Sequence, residues 1–208
     1  MNVAKSSSDP DAVNGLPKVA AKTAREILAR YEPGAAAVAL AEEDTSPPRF
    51  MELLFARELY EDALSFLAYG LPRREALWWG LGCVSEITPE ESPPAILRAL
   101  AVVEEWVGGP NDERRREAMV AAEEATYGTP AGCLALAVFF SEGSMAPPDC
   151  PAVPVGEWFC ARTTAAALLL ASLQEGQEKA PATAKAFLER GIDVARNAAP
   201  WDDAPPEA

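Results

Sequence analysis

An all-α fold, a single-domain bundle or short stack of helical hairpins with eight or nine helices, is what the sequence predicts, on three observations. Apolar residues recur at helical spacing, as in Phe50, Leu53 and Leu54, in Tyr60, Ala63, Leu64 and Leu67, and in Phe187, Leu188, Ile192 and Ala195, which gathers each set on one face of a 3.6-residue turn. No comparable period-two run, the mark of a half-buried strand, competes with them. Prolines 47, 93, 130 and 181 follow Ser46, Ser92, Thr129 and Ala180, where a first helical position loses no hydrogen bond to proline.

Taken in order, residues 1–17 carry Ser6, Ser7, Ser8, Asp9, Pro10 and Asp11 without an apolar run of export-signal length, and read as a flexible arm before a helical domain at 18–199. Thr23 and Glu26 form a capping box that should start a helix over 24–31, stopped by Pro33 and Gly34. An alanine-rich helix follows to about Glu43, and residues 47–69 make either one long helix or two joined near Arg57. The next helix, from Pro72, carries Leu77, Trp78, Trp79, Leu81, Cys83 and Val84, leaving little polar face, so it belongs in the middle of the fold. The helix over 111–127 has only Met119 and Val120 as large apolar residues and is expected on the surface. Its Arg114, Arg115 and Arg116, the one basic run, read as a solvated face. Residues 142–156 hold Pro147, Pro148, Pro151 and Pro154 and form a long loop, packed or functional. Residues 200–208 read as an acidic flexible tail, mobile after Trp201.

Chemistry is restricted by what is missing. The 208 residues contain no histidine, which removes the commonest general base and metal ligand and the usual serine or cysteine triads. Paired acids such as Glu42 and Glu43, Glu90 and Glu91, Glu104 and Glu105, and Glu123 and Glu124 are helix neighbours. They diverge by about 100° and cannot share one substrate. There is no GxxxxGK or GxGxxG phosphate loop. Cys83, Cys133, Cys150 and Cys160 show no CxxC pair, so no zinc ribbon or dithiol site is expected, and reduced thiols are preferred to a bridge between Cys150 and Cys160. No catalytic residue, cofactor or metal is therefore assigned. With 32 acidic and 18 basic residues, the net charge of -14 disfavours nucleic acid and anionic membrane. The most apolar stretch, 165–171, falls far short of the roughly 20 residues of a membrane span.

What remains is protein recognition. Arg73 and Arg74 oppose the dipole at a helix start and call for a counterpart, Glu58, Glu61 or Asp62, or the Trp78 ring four residues on. With Trp78 and Trp79 they read as a structural keystone, the alternative being an aromatic groove. The loop and nearby termini supply the expected partner surface: Glu142, Asp149 and Glu157 as a negative rim, Met145, and Trp201 as an anchor unless it packs on the last helix.

Two segments, residues 60–79 (YEDALSFLAYGLPRREALWW) and 140–147 (FSEGSMAP), resemble a family of uncharacterised bacterial helical proteins associated with type VI secretion gene clusters. Residues 60–68 also resemble the first helix of a tetratricopeptide repeat, without a second copy at 34 residues. The missing catalytic groups, the helical scaffold and the resemblance together lead to the expectation of a cytoplasmic, non-enzymatic adaptor or chaperone-like accessory of a secretion system, binding another protein such as a secretion-system component or effector. The charge alone gives the alternative, an acidic immunity protein that covers a basic toxin. A carboxylate-based enzyme is the third reading.

Overall fold

Capping and proline set the helix starts in the computed structural model, which describes residues 15–197 and 199–201. α3 (Pro47–Ala56) and α8 (Pro130–Phe139) begin at the expected prolines, α6 (Pro94–Gly108) begins one residue after Pro93, and α10 (Ala180–Arg196) holds Pro181 in its first turn. The Thr129 hydroxyl accepts from the Gly132 amide at 3.1 Å, and Asn111 accepts from the Arg114 amide at 2.9 Å to start α7 (Asp112–Ala125). The Thr23 box forms only in part. Its hydroxyl donates to Glu26 at 3.4 Å and the Lys22 amide donates to Glu26 at 3.2 Å, while Thr23 caps no amide. α1 (Ala24–Leu28) and α2 (Ala35–Val38) are accordingly shorter than expected; α2 buries only Ala37, so no apolar face draws it onward. Residues 47–69 make two helices, α3 and α4 (Tyr60–Gly70), because Glu58 takes the left-handed φ of 56°. With α5 (Arg73–Ile87) and α9 (Phe159–Ser172) the described residues hold ten helices, eight of them ten residues or longer. The fold is all-α.

The centre is made by α5, α8 and α9, which pack on one another. α6 and α7 cover α8, while α4 and α10 cover α9. α8, not α5, is the helix enclosed on all sides, since Ala131–Phe139 is buried except at Leu136. α5 is two-faced instead. Trp79 is fully buried and donates its indole N–H to the Phe187 carbonyl at 2.7 Å, whereas Trp78 is half-buried on the outer side. Gly191 on α10 makes room for the indole, because a Cβ there would sit 2.6 Å from the Trp79 ring. α7 is also two-faced: Ala118, Ala121, Ala122 and Ala125 bury a stripe at helical spacing. Small side chains let α7 approach α6 and α8 closely, a signal that counting only large apolar residues overlooks.

The packed chain reaches further than the expected boundaries. Leu16 and Ala199 are buried and Trp201 lies half-buried against α5, so neither 15–17 nor 200–201 is a free arm or tail. Residues 1–14 and 202–208 lie outside the described residues. Among the described residues no helix is long and apolar enough to cross a membrane.

The two tryptophans should separate on mutation. Trp79→Ala is expected to destabilise by about 3 to 5 kcal/mol, and Trp78→Ala by less than half of that; urea unfolding of the two variants checks the order.

Candidate protein-binding site

The connection from α8 to α9 is irregular backbone, and such segments are ordinarily the looser parts of a helical domain. Here α7 fastens it. Arg115 is 0% exposed. Its Nη1 donates to the Phe139 carbonyl at 2.9 Å, Nη2 to the Ser144 carbonyl at 3.1 Å and to Asp112 at 2.6 Å, and Nε to Asp112 at 2.8 Å. Its guanidinium carbon lies 4.9 Å from the Phe139 ring centroid. A planar, weakly hydrated fork surrounded by acceptors can be buried where an ammonium could not. Arg116 adds a bond to the Ala146 carbonyl at 3.1 Å and one to Asp112 at 2.8 Å. Arg114 donates to the Glu105 and Gly109 carbonyls at 3.1 and 2.6 Å, closing the end of α6. The expectation of a solvated basic face is thus overturned, because carbonyls left over at a helix end and in a loop require donors.

The loop is folded around the same point. Gly143 takes φ 73°, and a Cβ there would lie 3.2 Å from Arg115 Nη2. Ser144 Oγ accepts from the Ala146 and Val153 amides at 3.1 and 3.0 Å, while the Met145 amide donates to the Val153 carbonyl at 2.8 Å. This leaves Glu142, Asp149 and Val153 exposed and Met145 half-buried. Glu157, also exposed, stands where the loop enters α9.

There the chain borders a groove of about 590 Å³, lined by Arg30, Tyr31, Tyr69, Glu157, Trp158, Phe159 and Arg162 among others. Arg30 donates to the Tyr69 carbonyl at 2.7 Å, and its guanidinium lies 4.7 Å from the Trp158 ring centroid. Tyr31 and Tyr69 stack at 4.6 Å. The Tyr31 hydroxyl is enclosed without a hydrogen-bond partner among the described residues, and burial, then Asp62 and Tyr69, pushes its pKa far above the usual phenol range. Burial also raises that of Tyr69, against a lowering by Arg162.

Of the remaining residues singled out in the sequence, Trp201 belongs to the fold at α5 and α6. Its ring is 4.1 Å from the Arg74 guanidinium and meets the Trp78 ring edge-on at 5.2 Å. Arg74 donates to the Val107 and Gly108 carbonyls at 2.8 and 3.2 Å. The counterpart to its charge therefore includes the negative end of α6, and the ring on it is that of Trp201 rather than Trp78. Asp62 instead accepts from the Gly34 amide at 2.9 Å, and Arg73 is exposed. Glu142, Met145 and Asp149 lie on the loop and Glu157 where it enters α9, while Trp201 is engaged elsewhere. All four cysteines are free. Burial lifts the Cys133 thiol to about 11 and the Cys160 thiol to about 12, and raises Cys83 further. Among the described residues no three cysteine or acidic side chains are grouped to hold a metal.

Residues 50–195 match the Family of unknown function (DUF6931). The chain belongs to this family. No curated protein and no solved structure matches it. The DUF6931 region contains Arg115, the whole loop, Tyr69, Trp158 and Arg162, and leaves out Arg30, Tyr31 and Trp201. The family's description names no secretion apparatus.

Arg115→Met should cost about 2 to 4 kcal/mol, the stranded carbonyls acting together with lost packing. It should also speed hydrogen exchange at the Met145 and Val153 amides. The Asp112 carboxyl is held below its ordinary pKa, first by Arg116 and then by Arg115. Its contribution is therefore complete above the unfolded carboxylate pKa and disappears as the pH falls through the lower folded value. Comparing the melting temperature of the wild type with that of Asp112→Asn across that range checks the sign.

Proposed function

We propose that this protein is a non-enzymatic adaptor that binds another protein through the loop 142–156. One observation carries the reading: a long proline-rich loop is fixed to a rigid helical frame by a fully buried arginine while its own Glu142, Asp149 and Val153 stay exposed. Fixing a loop in advance lowers the ordering cost of association, and an irregular segment presents backbone groups that helices satisfy internally. The absence of histidine and the raised thiol pKa values support a binding role over catalysis. A place beside a bacterial secretion apparatus, and with it a cytoplasmic location, rests on the sequence resemblance. The net charge of -14 favours a second reading, an immunity protein for a basic toxin.

Replacing residues 142–156 by a glycine-serine linker is expected to abolish co-purification of the partner from the native host while leaving the far-ultraviolet helical signal in place. Retention of the partner by the shortened chain contradicts the proposal. For a basic toxin, the association rate would fall steeply with added salt; for the adaptor it would change little.

A further inference from the structure

The groove at the start of α9 has chemistry that the loop does not use. Its volume of about 590 Å³ lies within the range of about 300 to 1,000 Å³ common for ligand sites. Arg162 stands in the first turn of α9, where the helix dipole disfavours a cation, and among the described residues no hydrogen bond or ion pair ends on its guanidinium. Arg30 faces the same space from the end of α1, already fixed by the Tyr69 carbonyl and the Trp158 ring. α9 opens there with no side chain capping its amides. Phe159 is 41% exposed and Trp158 half-buried, so ring surface borders the cations. Glu157 and Glu32 also line the groove.

We propose that this groove binds a segment of the partner protein that carries an aromatic side chain next to a carboxylate, the ring resting on Trp158 and Phe159 and the carboxylate held by Arg162 and Arg30. The assignment rests on the protein-binding reading and names the chemistry of its partner. Guanidinium groups beside aromatic rings match such a pair because a charge-assisted bond and ring contact form together. Glu157 and Glu32 disfavour a long acidic run and suit a single carboxylate with neutral or basic neighbours. The overall charge of -14 does not forbid it, since screening over about 8 Å at physiological salt leaves the local arginines in control.

The test uses the full chain and fluorescein-labelled, end-blocked hexapeptides of alanine with phenylalanine followed by aspartate at the centre, read by anisotropy. Control peptides replace the aspartate with asparagine or lysine, or the phenylalanine with alanine. The aspartate peptide should bind about tenfold or more tightly than the asparagine one, as expected for a charge-assisted hydrogen bond. Arg162→Ala should remove that difference with an unchanged melting temperature, since the side chain is exposed and makes no hydrogen bond or ion pair among the described residues. Equal binding of the aspartate and asparagine peptides, preference for lysine, indifference to Arg162→Ala, or no binding at millimolar peptide each overturns the assignment. If no peptide binds but the linker variant still loses its partner, the groove fails and the loop stands. If the peptide binds while the linker variant keeps its partner, the loop fails and the groove stands.

Discussion

The burial of Arg115 organises the connection between α8 and α9, on which the proposed function rests. A guanidinium withdrawn completely from water is tolerated only when its donors find acceptors, and here they find the Phe139 carbonyl at the end of α8, the Ser144 carbonyl in the loop and the Asp112 carboxylate. The same bonds close α8 and tie the loop to α7, and Gly143, at φ 73°, leaves room beside the Arg115 guanidinium. The connection between α8 and α9 is thereby an extension of the helical frame. The Arg116 bond to Ala146 and the Ser144 hydroxyl bonds reinforce it.

A second constraint lies in the core. Trp79 fits because Gly191 leaves space and Phe187 offers a carbonyl, so α5 and α10 are keyed together across a separation of 108 residues. On the outer face of α5, Arg74 joins the end of α6 to Trp201. The aromatic residues at 78 and 79 thus do different work: one fills the centre and the other receives the C-terminal tryptophan. Neither forms a groove. The aromatic groove lies at α1, α4 and α9, where Tyr31, Tyr69 and Trp158 come from segments far apart in the chain.

Helix class and the proline starts were legible because they depend on local chemistry, a cap, a proline, a repeating apolar face, whereas the choice between one helix and two over 47–69 is settled only by the left-handed conformation of Glu58. The Thr23 box was over-read, since the Thr23 hydroxyl caps no amide and α1 ends at Leu28. The α7 face was missed because Ala118, Ala121, Ala122 and Ala125 contribute through smallness. Arg115 was missed for a deeper reason. Nothing local distinguishes it from Arg114 and Arg116; its burial is decided by carbonyls 24 and 29 residues away. A basic run on an alanine-striped helix, followed by a proline-rich loop, is the nearest thing to a signal. The exposure of Glu142, Asp149 and Glu157 was legible from composition, and the packing of Trp201 was legible as an alternative, though on the last helix and not on Trp78 and Arg74.

The most direct measurement is the exchange of the Arg115 Nε–H with water, followed by nitrogen-15 NMR of the guanidinium at neutral pH. A resonance that persists for hours, shifts on Asp112→Asn and vanishes in Arg115→Met is the result expected of a fully buried, hydrogen-bonded fork. Exchange as fast as that of the exposed Arg73 would contradict the burial and, with it, the fixed loop on which the functional account depends.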